Sequence, residues 1–110
     1  MSSPRVKVCG ITRPEDGRLA VSLGASYLGF ILYPKSPRAI ELKDFQSLHN
    51  SLPDSFRVMV DVRPSLETVK NHVDVGFDFF QIHLLSVLVL ILSFFHHLVH
   101  PLMASHRHAP

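Results

Sequence analysis

Between Arg5 and His83 four short apolar runs alternate with three amphipathic stretches, and this order most limits what the chain can fold into. The first run, from Arg5 to Val8, ends abruptly at Cys9-Gly10. A helix is predicted from about Arg13 to Leu23, with Leu19, Ala20 and Leu23 on one side and Gly24 as its stop. Thr12-Arg13-Pro14-Glu15 has the form of a capping box at its start. Ala25 to Leu32 is the second strand, too uniformly apolar for one face to meet water. Glu41 to Leu52 is the second helix, with Leu42, Phe45, Leu48 and Leu52 at helical spacing. Phe56 to Asp61 is the third strand. Ser65 then caps a helix carrying Leu66, Val69 and Val73, Gly76 ends it, and Phe77 to His83 is the fourth strand.

Short strands joined through amphipathic helices imply right-handed crossovers and a parallel sheet, the α/β class. Four such units are half of a (β/α)8 TIM barrel, which usually needs at least about 200 residues; this chain has 110. The net charge of +2 gives no reason to expect nucleic acid as a partner. A single cysteine rules out an internal disulfide and suits a reducing compartment. The N-terminus runs straight into the first strand without an apolar or Arg/Ser-rich presequence, so a cytoplasmic protein is expected.

Composition breaks after His83. Residues 84–110 carry one charged side chain, Arg107, no glycine, and five of the eight histidines. The expected division is residues 1–83 as the half-barrel and 84–110 as an apolar, then His-rich tail outside it. A frameshift, a retained intron or a faulty gene prediction accounts for such a junction. The apolar segment 84–99 suits a buried helix, a strand or a membrane segment about equally, being short for a comfortable span. His96 and His100, and His106 and His108, lack the converging partners a metal site needs, so no metal is expected.

At the tips of parallel strands chemistry tends to gather, and Cys9 sits at the first. Alone it is a candidate nucleophile or base, or simply a small buried residue. Lys7-Val-Cys-Gly-Ile-Thr12, Leu28 to Arg38 (with Tyr33-Pro-Lys-Ser-Pro-Arg38), Val58-Met-Val-Asp61 and Phe80-Gln-Ile-His83 occur in order on strand ends. Together they resemble the N-terminal half of phosphoribosylanthranilate isomerase, a (β/α)8 enzyme of tryptophan biosynthesis.

The resemblance implies an Amadori rearrangement of N-(5-phosphoribosyl)anthranilate to 1-(2-carboxyphenylamino)-1-deoxyribulose 5-phosphate, with a small phosphoribosyl substrate and no cofactor. An acid opens the furanose ring and a base removes the C2 proton. It makes Cys9 the general base and Arg38 the holder of the anthranilate carboxylate, where a guanidinium fits bidentately. Lys7, on the same strand face as Cys9, is expected either to support the thiolate or to pair with a strand-tip carboxylate such as Asp61. Asp61 and His83 are further strand-tip candidates. The family's acid is an Asp on a later strand and its phosphate site follows strands seven and eight; no residue here matches either. The family also continues Gln-x-His-Gly, where this chain has Leu84. The chain alone is therefore expected to be inactive. The rival reading is a non-catalytic protein that self-associates through open sheet edges or, less favoured, meets a membrane through the apolar segment 84–99. A product with no function of its own is the third.

Overall fold

A computed structural model describes residues 4–85 and 88–91, arranged as one five-stranded sheet in the order β1-β2-β3-β4-β5. β1 (Lys7–Cys9), β2 (Tyr27–Ile31), β3 (Phe56–Val62) and β4 (Phe79–Leu85) run parallel. α1 (Pro14–Ser22), α2 (Leu42–His49) and α3 (Leu66–Val73) make the crossovers. β5 (Leu88–Ile91) pairs antiparallel with β4, Gln81 opposite Ile91 and His83 opposite Val89. The expected α/β half-barrel pattern is present, and β5 departs from it in direction.

Local signals set most of the boundaries. α3 starts where Ser65 predicts, with Ser65 Oγ accepting the Thr68 N–H at 3.0 Å. α1 ends in a Schellman turn: the Gly24 N–H donates to the Val21 carbonyl and the Ala25 N–H to the Ala20 carbonyl, both at 3.0 Å. Its start is different from the expected one. Pro14 occupies the first helical position, where its missing N–H costs nothing, so the N-cap falls on Arg13 and not Thr12. No side chain caps it; Arg13 instead holds Asp16 through two bonds of 3.0 Å. α2 does carry a capping box, between Glu41 and Asp44, and stops at His49, short of the predicted Leu52. β4 begins two residues later than predicted and continues past His83 to Leu85.

All three helices pack on one face of the sheet. Leu28, Phe30, Met59, Phe80 and Ile82 from the strands meet Ala20, Phe45, Leu48, Val69 and Val73 from the helices. Phe45 lies at the centre, 4.8 Å from the Phe30 ring and 4.0 Å from the Phe77 ring. Burying one such ring is worth about 1.5–3 kcal/mol. The predicted stripe of α1 is not the buried one: Leu19 and Leu23 are 57% and 79% exposed, while Gly17 and Ala20 face inward. Small side chains let the helix lie close to the sheet. Leu66, at the first turn of α3, is exposed as well.

At the N-terminal end of β3, Arg57 is almost fully buried. Its guanidinium donates to the carbonyls of His49, Leu52, Pro53 and Ser55, and its backbone N–H donates to Asp78 Oδ2 at 2.8 Å. This knot fastens the α2–β3 connection at the end of the sheet where barrels keep stability and not chemistry.

The opposite face carries a cluster without helix residues, Ile31, Val58 and Val60 with Cys9, Tyr27, Tyr33 and Phe79. β5 pairs with the outer edge of β4, so among the described residues β1 and β5 are the two edge strands of the sheet. Among the described residues no strand pairs with the outer edge of β1. Of the apolar segment 84–99, Leu84 and Leu85 end β4 and Leu88–Ile91 form β5. Residues from 92 on, with His96, His100, His106 and His108, lie outside the described residues. Among the described residues no helix is long and apolar enough to cross a membrane.

Candidate functional site

Two turns bring distant parts of the sequence to the tip of β1. After Cys9 the chain turns at Gly10, whose φ is +85°, and the Gly10 and Ile11 N–H groups both donate to the Gly29 carbonyl at 3.0 Å. The start of α1 is thereby tied to β2. After β2 the loop 33–38 closes on itself: the Ser36 N–H reaches the Tyr33 carbonyl at 3.0 Å and the Ala39 N–H the Ser36 carbonyl at 3.1 Å. The Ile40 N–H then returns to the Ile31 carbonyl at 2.9 Å. Arg38, at the end of this loop, is swung over β1. Its Nη1 donates to the Cys9 carbonyl at 3.1 Å. A Cβ on Gly10 would stand 2.4 Å from that same Nη1, so only glycine leaves room for the guanidinium.

Cys9 itself is half-buried on the helix-free face. It stands opposite Gly29, where a Cβ would come within 2.9 Å of Sγ, so the thiol occupies a notch left by that glycine. The two expected partners, Cys9 and Arg38, therefore meet at one strand tip. The guanidinium is exposed and keeps donors for a further ligand.

Lys7 also lies on this side, on the same strand face as Cys9, and its ammonium does not turn to Asp61. It crosses the concave face and donates to Gln81 Oε1 on β4. The Gln81 amide nitrogen in turn lies 3.5 Å from His83 Nε2. Lys7, Gln81 and His83 form one chain of contacts, with Arg5, Tyr27, Val58 and Phe79 around a cavity of about 290 Å3 that Lys7 and Gln81 help line.

Asp61 stands apart. In the β3–β4 register Val62 pairs with His83 and Asp61 with Ile82, so Asp61 is one pleat out of phase and faces the helices. Its Oδ1 accepts the Val62 N–H at 2.7 Å. It lines a larger cleft of about 600 Å3 with Leu32, Ile40, Asp44 and His72, which does not include Cys9. Burial holds the His72 imidazole below its ordinary pKa, while the Asp61 charge acts the other way; His72 Nδ1 lies 3.3 Å from Met59 Sδ. The pairing of Lys7 with Asp61 is thus excluded by the sheet itself, because the two side chains leave it on opposite faces.

Two residues of this site escaped the sequence reading. Gln81 is legible afterwards: two positions before His83 on a strand, it must share its face. Gly29 acts only through the register that puts it beside Cys9, which no local pattern reveals. Thiol, amide and imidazole on one sheet face, with the guanidinium at the tip of β1, suit proton transfer next to a bound anion. Among the described residues no group of three or more His, Cys, Asp or Glu is placed to hold a metal ion.

Comparison with known proteins gives a consistent picture. The family pattern of N-(5'-phosphoribosyl)anthranilate isomerase matches residues 6–87. The enzyme of that name from Sulfurihydrogenibium sp. is 42% identical over 78 residues, covering 71% of this chain and 38% of the relative. That from Methanothermobacter marburgensis is 40% identical, covering 74% and 37%. A crystal structure of phosphoribosyl anthranilate isomerase with reduced 1-(o-carboxyphenylamino)-1-deoxyribulose 5-phosphate superposes with a TM-score of 0.70 at 38% identity, covering 74% of this chain and 43% of its own. The Thermotoga maritima enzyme gives the same TM-score and identity, with 40% of its chain covered. The chain thus spans about two fifths of the length of the relatives it matches.

Proposed function

Because this chain belongs to the N-(5'-phosphoribosyl)anthranilate isomerase family, we propose that it carries the proton-abstracting and carboxylate-binding half of that isomerase. The reaction is the Amadori rearrangement of N-(5-phosphoribosyl)anthranilate in tryptophan biosynthesis. An acid protonates the furanose oxygen, the ring opens to a Schiff base conjugated with the anthranilate nitrogen, and a base removes the C2 proton. The resulting enamine tautomerises to the 1-deoxyribulose product. In this reading Cys9 takes the C2 proton as thiolate and the exposed Arg38 guanidinium receives the anthranilate carboxylate. Lys7 and His83 border the substrate on the same face, whereas Asp61 acts from the far side of the sheet, at most as a loop anchor.

The observation that carries the reading is the Arg38 guanidinium lying over the Cys9–Gly10 peptide. It joins the two family motifs at one strand tip, within reach of one small substrate. The general acid and the phosphate site have no counterpart among these residues, and each absence is expected to cost at least about 10²-fold. The 110-residue chain by itself should show no isomerisation above background. A thiol that must stay reduced fits a cytoplasmic setting. The boundary of the family half falls between His83 and β5; the antiparallel direction of β5, foreign to a parallel barrel, supports it.

Titrating anthranilate into the isotopically labelled chain tests the carboxylate site directly. Shifts of the Gly10 and Arg38 amides that vanish in Arg38→Ala are expected. Shifts that persist unchanged in Arg38→Ala would remove the assignment.

A second reading, self-association, is favoured by the outer edge of β1, which no strand pairs among the described residues, and by the exposed Val6, Leu19 and Leu23. Sedimentation of the chain over a range of concentrations decides it, a concentration-independent monomer being the result against.

A further inference from the structure

We infer that Gln81 is a positioning residue that fixes His83 as the Nδ1–H tautomer, turning its imidazole into a hydrogen-bond donor toward the substrate. The argument is one of donors and acceptors along a single strand face. Lys7 carries an ammonium with three donors and no acceptor, so the Gln81 atom it meets has to be the carbonyl oxygen. That fixes which way the Gln81 amide lies. Its NH2 group then faces His83 Nε2 at 3.5 Å, and an NH2 group can only donate. Nε2 must therefore present its lone pair, and the proton of the ring resides on Nδ1. Free histidine in water favours the opposite tautomer, so the protein has to impose this one.

The backbone makes the relay rigid. Gln81 and His83 are two apart on β4 and share a face, β4 is paired on both sides, and the Arg63 N–H holds the His83 carbonyl at 3.0 Å. Lys7 sits on β1, three strands away in the sheet order, so its contact with Gln81 spans the concave face. Replacing either partner unlocks the amide. The consequence for binding rests on the function proposed above, in which this face holds the substrate: a ring with N–H at Nδ1 offers a donor to a substrate oxygen, and the other tautomer offers a lone pair.

The tautomer is read without any substrate. Two-bond 1H–15N spectra of the full 110-residue chain with 15N-labelled histidine, at pH about 8 and so above the ordinary imidazole value of about 6.5, report which ring nitrogen carries the proton. His83 is identified by the signals lost in His83→Asn. The wild-type ring is expected to show a protonated Nδ1 and a bare Nε2. Gln81→Glu, which can only accept at that position, is expected to move the proton to Nε2, and Lys7→Met to leave a mixture. A merely structural glutamine would give none of these reversals. An Nε2–H ring in the wild-type chain, or an unchanged tautomer in Lys7→Met, overturns the inference; if Gln81→Glu does not fold, those two measurements still decide. Loss of the tautomer leaves the proposed function standing, and failure of anthranilate to bind leaves the tautomer standing.

Discussion

Substituting Gly10 by alanine should injure the site in two separable ways. The backbone there has φ +85°, and an L side chain in the left-handed region costs roughly 1–2 kcal/mol. The new Cβ would also stand 2.4 Å from Arg38 Nη1 and 2.8 Å from its Cδ and Cζ, well inside contact distance. Arg38 must swing away and give up its bond to the Cys9 carbonyl, worth about 0.5–1.5 kcal/mol. Gly10→Ala should therefore cost about 1.5–3.5 kcal/mol in the wild-type background. In an Arg38→Ala background only the backbone strain is left, about 1–2 kcal/mol. The coupling, about 0.5–1.5 kcal/mol, is read by urea denaturation of the four proteins followed by far-ultraviolet circular dichroism. For a domain of this size it corresponds to several degrees in Tm. Equal losses in both backgrounds would refute the reasoning, because Arg38 would then not lie over Gly10 at all.

Arg57→Met should destabilise the chain by about 2–3 kcal/mol, since it removes the donor shared by four part-buried carbonyls of the α2–β3 connection. A urea midpoint within error of wild type would contradict this. Gly29→Ala presses on Cys9 Sγ at 2.9 Å and Cα at 3.1 Å, so a loss of about 1–3 kcal/mol is expected with an altered rate of thiol alkylation by iodoacetamide. Unchanged stability and rate together would mean the thiol is seated elsewhere. His72, held below its ordinary pKa by burial, favours the unprotonated ring in the folded state. Its contribution is full above about pH 6.5 and is lost as pH falls through the depressed value. Stability should therefore fall faster on acidification in wild type than in His72→Gln, and parallel pH profiles would be the contrary result.

Much of the sheet was legible because strand and helix periods differ and because a few residues punctuate them. Ser65 and Gly24 act within one turn of chain, and both do what their chemistry predicts. Where two local rules competed, the reading failed: Thr12 has the better cap, but Pro14 decides where the helix begins. The buried side of α1 was misjudged since periodicity selects large apolar residues, whereas close packing selected Gly17 and Ala20. The site followed the same division. Cys9 and Arg38 were readable from motifs at strand ends. Their meeting depends on how the loop 33–38 folds back, and the partner of Lys7 depends on a contact 74 residues away in sequence. Asp61 shows how a single pleat outweighs proximity to a strand tip: one step of register puts it behind the sheet. The antiparallel β5 had no signal, since an unbroken apolar run does not distinguish strand from helix or give direction.

The central claim, that Cys9 is the base of an isomerase half, is tested most directly in a hybrid enzyme. Residues 6–85 of this chain would replace the matching segment of the Thermotoga maritima isomerase, which supplies the remaining strands. The hybrid is expected to isomerise phosphoribosylanthranilate, and Cys9→Ala is expected to lower its kcat by about 10²–10⁴-fold without loss of fold. A folded Cys9→Ala hybrid that keeps the full kcat would contradict the account.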